Sequence, residues 1–277
     1  MAKLLCIILT GSTLLAGCNL MQLRPGPQLP AFPGHAVAEF GQRHCAEPSG
    51  IVYSAMRGTL FVVGDEGDIC ELRTNGTLVN KVHIRRVDLE GITINPATGM
   101  LYALDEHAEA ILEIHPDNLE VLRHFLIEVT PAHHNPAPNN RGFEAITFVP
   151  DPHDDLDGQF FLANQGSSAE QAAAVFNTTA PLSTFSTGSP AHITPSFNPG
   201  IADLSGLHHD SVSGWLLVIS DKHDTLLITT IDGAVQASYT LPGENQEGIT
   251  LDASGHLYLA EDSGNIIKYI FNATLNH

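Results

Sequence analysis

Short apolar runs separated by polar turns dominate the chain from about residue 36 onward. The runs are rich in β-branched and aromatic residues, and many begin just after a glycine, as in segments 58–63, 99–104 and 255–260. A glycine before such a run is typical of a β-hairpin turn. Helical periodicity is confined to a short piece at 168–175. The pattern therefore predicts an all-β fold built from many short antiparallel strands.

One short motif recurs at the start of each set of apolar runs. Its small residue is found at five positions: Gly50, Gly91, Ala145, Gly206 and Gly248. Two of the intervals between them fit the roughly 40–45 residues of a four-stranded propeller blade, and two are longer. The repeat favours a β-propeller over an open β-sandwich, because a sandwich does not require repeats of similar length.

The motif count predicts a propeller of five blades. The last motif is followed by only three runs, and residues 35–41 can supply the missing outer strand. The N-terminal strand would then join the last blade and close the ring. Six blades are the alternative, because the long interval between the third and fourth motifs has room for a degenerate blade within residues 180–199.

The N-terminal segment predicts targeting rather than fold. Residues 1–17 have a short basic start, an apolar stretch and small residues before Cys18, which is the pattern of a secretory signal peptide. The ending resembles a bacterial lipobox, which implies that Cys18 carries lipid, and Asn19 after it implies outer-membrane sorting. Residues 18–35, rich in proline, are expected to be a tether, and residues 36–277 the propeller. We therefore expect a lipid-anchored protein of the bacterial cell envelope, on the outer membrane and facing the periplasm.

Charge and cysteine content narrow the function classes. The chain has 12 Lys and Arg against 31 Asp and Glu, a formal net charge of −19, which argues against nucleic-acid binding. Of its 4 cysteines, Cys6 lies in the signal segment and Cys18 is the candidate lipid acceptor. Cys45 and Cys70 remain, and an oxidising compartment favours a disulfide between them, with two buried free thiols as the alternative.

The residue before the small motif residue defines the first candidate site. It reads, in order, Ser49, Glu90, Glu144, Ser205 and Glu247. Because the first strand of each blade lines the central channel, these side chains are expected to form a ring. Three converging carboxylates raise one another's pKa unless a cation compensates, and oxygen ligands suit Ca²⁺. The alternative is that these groups hydrogen-bond neighbouring backbone and are structural.

A second polar column follows the second run of each repeat. Its members are Asp65, Glu106, Gln165, Asp221 and Asp262. By strand count it lies at the same channel mouth as the ring, although polar residues at strand-ending turns are also ordinary turn chemistry. His208, inside a predicted first strand, is a further channel-mouth candidate. A mouth so acidic fits a cationic ligand or a metal-bridged anion. The sequence has no nucleophile elbow, P-loop or dinucleotide fingerprint, so no catalytic residue is assigned.

Segments 89–106 and 246–262 resemble the SdiA-regulated family of bacterial propellers (YjiK-like). The resemblance implies the propeller fold and an envelope location. A more distant similarity to β-propeller phytases implies Glu90, Glu144 and Glu247 as calcium ligands, although the phytases' basic substrate clamp has no visible counterpart here. Two function hypotheses follow: a non-catalytic propeller binding a small ligand or an envelope protein at its channel mouth, with Ca²⁺ as candidate cofactor, or a calcium-dependent phosphoesterase.

Overall fold

The computed structural model describes residues 29–40, 44–129, 142–166 and 173–272. The predicted signal peptide, Cys18 and most of the predicted tether lie outside these residues. No helix in the described ranges is long and apolar enough to cross a membrane.

The described residues form strands almost throughout, with one 3₁₀ turn at Leu182–Thr184. The chain enters through β1 (Gly34–Phe40). The first unit contains β2 (Pro48–Ser54), β3 (Thr59–Gly64), β4 (Asp68–Arg73) and β5 (Leu78–His83). The second contains β6 (Leu89–Ile94), β7 (Leu101–Asp105), β8 (Ala110–Ile114) and β9 (Val121–Val129). The third contains β10 (Phe143–Asp151), β11 (Asp154–Asn164), β12 (Val175–Thr178) and β13 (Ala191–Phe197). The fourth contains β14 (Leu204–Asp210), β15 (Trp215–Ser220), β16 (Thr225–Thr229) and β17 (Val235–Thr240), and the last contains β18 (Gln246–Leu251), β19 (His256–Glu261) and β20 (Ile266–Phe271).

Each unit is an antiparallel meander whose first strand lies innermost. The first strands β2, β6, β10, β14 and β18 contact one another in cyclic order, so the units surround a central axis. The strand β1 pairs antiparallel with β20 and gives the last unit its fourth strand. The all-β propeller, closed by the N-terminal strand, is confirmed.

The long interval between the third and fourth motifs is explained by an outer strand. Within residues 180–199 the chain forms the 3₁₀ turn and β13, the fourth strand of the third unit. The strand β13 also pairs in parallel with β9 of the second unit, with Ala191 opposite Ile127. In the described residues this segment therefore joins two neighbouring units at their outer edges and does not form a further four-stranded unit.

The hydrophobic core is divided among the junctions between neighbouring units. The cluster around Phe125 and Phe160, for example, combines side chains of the second and third units, and the cluster around Leu217 and Leu259 combines the fourth and the last. Both faces of the middle strands are therefore covered, and β3 is buried along its whole length. This explains why these strands have continuous apolar sequences rather than alternating ones.

The small motif residue is required by the close approach of the first strands at the axis. A Cβ atom added to Gly50 would lie 2.5 Å from the Glu90 carbonyl oxygen of the next unit. A Cβ at Gly91 would lie 2.7 Å from the backbone nitrogen of Ile146. Backbone atoms of another strand cannot move away cheaply, so these positions admit no side chain.

Of the five junctions between described first strands, two are also tied by a serine of the motif. Ser49 Oγ donates to the carbonyl of Leu89, and Ser205 Oγ donates to the carbonyl of Gln246 at 2.6 Å. Both serines are buried. We predicted Ser49 and Ser205 as channel-mouth groups, with hydrogen bonding to neighbouring backbone as the alternative. Their hydroxyls bond the backbone of the next unit, as in that alternative.

The other three junctions are tied by a threonine two residues after the small residue. In each case the hydroxyl oxygen accepts a backbone N–H from the next unit: Thr93 from Phe148 at 2.9 Å, Thr147 from His209 at 2.9 Å and Thr250 from Tyr53 at 3.1 Å. The units tied by serine have Val52 or His208 at this threonine position. Each junction therefore has a motif side chain bonded to the backbone of the next first strand.

The serine tie makes a specific prediction about stability. Ser205→Ala leaves the buried Gln246 carbonyl without its hydroxyl donor, so we expect the free energy of unfolding to fall by about 1–3 kcal/mol. Ser54 is a matched control because it is equally buried but its hydroxyl has no partner in the described part of the chain. Ser54→Ala should be neutral or slightly stabilising. Urea denaturation of both variants measures the difference, and equal losses would contradict the role of the tie.

Candidate functional site: the acidic channel mouth

The two polar columns lie at one mouth because a repeated backbone hydrogen bond joins the second column to the start of the motif, two residues before the first column. The first residue of each motif offers its carbonyl to the N–H of the residue that follows the second strand. Four units show it: Asp65 to Glu47 at 3.4 Å, Glu106 to Asp88 at 2.9 Å, Asp221 to Asp203 at 3.2 Å and Asp262 to Asn245 at 3.0 Å. The acids of the second column are therefore placed beside the ring, as the strand count predicts.

Three carboxylates at this mouth are close enough to share one cation. Each of Asp88, Glu90 and Glu106 offers an oxygen that lies within 4.8 Å of the other two. All three side chains are partly exposed. Glu106 is also fixed by the N–H of Gly142, which donates to its Oε1 at 3.1 Å. This group, with one residue from each column and one from the motif start, is the candidate metal centre.

The sequence prediction of the metal ligands is therefore only partly matched. Of the predicted set Glu90, Glu144 and Glu247, only Glu90 belongs to the close group in the described residues. Glu144 and Glu247 contribute to the same electrostatic field: the charges of Glu106 and Asp88 act on Glu144, and that of Asp221 acts on Glu247. They surround the group without joining it.

Asp88 was not among the predicted metal ligands because the first position of the motif lies in a turn in most units. The corresponding residues are Glu47, Gly142, Asp203 and Asn245. Glu47, Asp203 and Asn245 have positive φ, a conformation that Asn and Asp tolerate well, so acids there are easily assigned to turn chemistry. Tabulating this position as a third column would have shown the acids next to the ring.

Burial and like charges raise the pKa values of the ring glutamates. Burial is the larger cause for each, and neighbouring carboxylates add to it: the pKa of Glu90 rises to about 9, that of Glu144 to about 8 and that of Glu247 to about 9. Burial also raises the pKa values of Asp65 and Asp221. The direction is the one that the sequence predicts. With no cation bound, these glutamates therefore retain protons at neutral pH.

The channel narrows sharply below the acidic mouth. The ring of small residues, Gly50, Gly91, Ala145, Gly206 and Gly248, surrounds a cavity of only about 10 Å³. That is room for about one water molecule. Beyond this throat the first strands diverge into a second cavity of about 300 Å³, and His208 lines that cavity. His208, predicted at the acidic mouth, therefore lies on the opposite side of the throat.

Cys45 and Cys70 lie side by side in the core as free, buried thiols. Cys45 Sγ donates to the Val62 carbonyl at 3.5 Å, and Cys70 Sγ donates to the His44 carbonyl at 3.2 Å. Interaction with the neighbouring Cys70 thiol, together with burial, raises the pKa of Cys45. The disulfide is not formed in this structure. The bridge stays a prediction, although the two residues are adjacent as it requires.

Radial antiparallel units around an axial channel define the chain as a β-propeller with acids gathered at one mouth. The family model described as SdiA-regulated matches residues 42–265, and the chain belongs to this family. Among curated protein sequences, none is significantly similar to the chain.

Two solved structures share the fold at low sequence identity. The glutaminyl cyclase of Myxococcus xanthus is 12% identical with a TM-score of 0.62, and the match covers 87% of this chain and 97% of that one. A chain of a nidogen/laminin complex is 13% identical with a TM-score of 0.50, and the match covers 77% of this chain and 72% of that one. At these identities the likeness shows the fold alone.

The raised pKa values predict how stability depends on pH when divalent cations are chelated. Between the usual glutamate value of 4.5 and the raised values of 8 to 9, the unfolded chain has lost protons that the folded chain retains. The free energy of unfolding should therefore fall as pH rises through this window, by up to about 1.4 kcal/mol per pH unit for each carboxyl. Glu90→Gln removes one of the three groups and should flatten the fall.

Urea denaturation at a series of pH values with a chelator present measures this slope. Glu128→Gln is the control because Glu128 is an exposed outer-strand acid paired with His192. A Glu90→Gln slope parallel to that of the control would contradict the assignment.

Proposed function

We propose that the protein is a non-catalytic, envelope-anchored propeller whose acidic mouth holds a divalent cation, with Ca²⁺ as the candidate, and presents it to a ligand or protein partner. The observation that carries the proposal is the group of Asp88, Glu90 and Glu106, with oxygens within 4.8 Å of one another. Oxygens that share one Ca²⁺ lie at most roughly 5 Å apart, twice the usual metal–oxygen distance. The group therefore needs little rearrangement to bind.

The surroundings of the group support a hard cation. The three candidate ligands are all carboxylates, which suit Ca²⁺ or Mg²⁺ better than softer metals. Asp65 Oδ1 is buried and has no hydrogen-bond partner in the described ranges, although the Asp65 carboxyl as a whole is hydrogen-bonded to Glu47. A buried carboxylate oxygen without a partner is costly, and a nearby positive ion would offset that cost. A bound cation would also displace the protons that the glutamates hold at neutral pH.

The charge at the mouth favours a cationic partner, or an anion held through the metal. Three basic side chains of the described chain are paired with acids of their own units: Arg57 with Glu71, Lys81 with Asp68 and Arg123 with Glu113. At the mouth, the gathered carboxylates would repel a bare phosphoester. This is why we rank the binding function above calcium-dependent phosphoester hydrolysis.

Calcium titration of purified, chelator-treated protein tests the proposal. We expect saturable binding with one dominant site by isothermal titration calorimetry, with proton release that grows as the pH is lowered from 9 to 7. Asp88→Asn combined with Glu90→Gln should weaken the affinity at least about tenfold. Glu128→Gln, an acid on an outer strand, is the matched control and should bind as the wild type does.

Two results would count against this function. Calcium affinity that is unchanged in the double variant would remove the assigned site. Calcium-dependent turnover of phosphomonoesters, abolished by the same substitutions, would replace the binding function with the phosphoesterase.

We also propose that Cys18 is the lipid attachment site that holds the propeller on the outer membrane, facing the periplasm. The support is the signal-like segment 1–17, the small residues before Cys18 and the proline-rich residues that follow. Expression in a bacterium fed with radiolabelled palmitate should label the wild type and fractionate it with membranes. Cys18→Ser should be unlabelled and released from the membrane, with Cys6→Ser as the control that keeps the label. Label retained in Cys18→Ser would refute the assignment.

A further inference from the structure

The cavity beyond the throat is separate from the acidic mouth. It has a volume of about 300 Å³, at the lower end of the range for small-molecule pockets. Its walls combine apolar and hydrogen-bonding side chains, among them Tyr53, Phe148, His208, Thr93 and Thr147. The throat, with room for about one water, stands between this cavity and the acids. The two ends of the channel can therefore bind different molecules.

His208 enters this cavity because the fourth unit departs from the repeat. The threonine position of the motif ties neighbouring units in three of the five junctions. In the fourth unit Ser205 supplies that tie, so the threonine position has no remaining structural task. A histidine is far larger than the fold requires there. We therefore relate the histidine at this motif position to the cavity that it lines, and not to the contacts between units.

The histidines and threonines that face the cavity are uncharged and can form further hydrogen bonds. Within the described ranges the His208 and His209 rings have no hydrogen bond, and the bond of His209 to Thr147 is made by its backbone N–H. Burial lowers the pKa of His208 to about 4, and it also lowers that of His209, so both imidazoles are neutral at pH 7. Thr93 and Thr147 accept backbone N–H groups, and each retains a hydroxyl proton that it can donate.

The two carboxylates in the wall are already satisfied by neighbours. Asp210 accepts the Ser213 hydroxyl at 2.6 Å, and Asp252 accepts the Tyr258 hydroxyl at 2.9 Å and is paired with Lys268 at 3.7 Å. No Lys or Arg is among the described residues that line the cavity. An anionic ligand would find no cation there, and a cationic ligand would have to compete with these internal partners.

Exposed apolar side chains lie on the turns near the rim of the cavity. The turns between first and second strands surround it, and three exposed apolar side chains lie on or beside them: Met56, Leu156 and Val212, which are 65%, 61% and 82% exposed. Asn95 Nδ2 donates to the Leu156 carbonyl at 2.9 Å and joins two of these turns. Apolar side chains gathered around a pocket mark a binding surface more often than scattered ones do.

We propose that this cavity is a second binding site, which takes small uncharged organic ligands that combine an apolar ring or chain with an amide or hydroxyl group. The apolar part would pack against Phe148 and Tyr53. The neutral His208 imidazole offers one N–H donor and one nitrogen acceptor, which match the carbonyl and N–H of an amide. The site does not depend on the cation proposed for the other mouth.

Three probes of nearly equal shape test the charge selectivity of the cavity: benzamide, benzoate and benzylamine. With isotope-labelled protein at neutral pH, we expect benzamide to shift the His208 imidazole resonances in a saturable manner. Benzoate and benzylamine, charged at this pH, should bind at least about tenfold more weakly. His208→Thr restores the residue that three other units have at this position, so the variant should fold normally. It should bind benzamide at least about fivefold more weakly than the wild type.

His124→Thr is the matched control, because His124 is exposed on the outer strand β9, and it should bind benzamide as the wild type does. The proposal is overturned if benzamide leaves the His208 resonances unchanged up to its solubility limit, or if all three probes bind equally. It is also overturned if His208→Thr retains the wild-type affinity. Calcium affinity measured on the same His208→Thr protein should be unchanged, and its loss together with benzamide binding would show that the two sites are not separate.

Discussion

In the part of the chain that the structure describes, the close approach of the first strands around one axis is the constraint on which the rest of the structure depends. Their backbones come so near that a Cβ atom at Gly50 or Gly91 would overlap backbone atoms of the next unit. At this separation a single serine or threonine can reach across each junction and bond the neighbouring strand. Packing outside the axis then fills the wedges between units with five apolar clusters. The ring is thus held by polar bonds near the axis and by apolar contacts farther out.

The same geometry produces the chemistry of both channel ends. Strands that converge at a throat bring the residue before each small residue close to its counterparts, so three glutamates meet where solvent is scarce. Their raised pKa values are a direct result, since burial and the neighbouring carboxylates both disfavour the charged form. On the other side of the throat the strands diverge and leave space for side chains larger than threonine. His208 occupies that space, and burial lowers the pKa of its imidazole, so the ring is uncharged.

The fold could be predicted well from the sequence because the repeat contains glycines at positions where the backbone geometry requires them. Glycine at a close approach and glycine before a strand are visible without coordinates, and so is the missing outer strand that β1 supplies. The site was predicted less completely because side-chain direction is not visible in the same way. Ser49 and Glu90 occupy one motif position, yet the serine turns to the next unit and the glutamate to the mouth. Asp88 looked like a turn residue, and His208 was placed at the wrong end because its depth along the strand decides which side of the throat it reaches.

Closure of the ring by β1 has a consequence for how cooperatively the chain must fold. The strand β1 and its ladder partner β20 are separated in sequence by the rest of the propeller. Until the intervening units have folded, the backbone groups of β1 are unpaired, and such a strand edge is a hazard for aggregation. Its sequence suits this delay, since it is short and most of its side chains are exposed even in the finished ring. The last unit is therefore completed only when β1 and β20 meet, so a chain that lacks either strand leaves that unit with an unpaired edge.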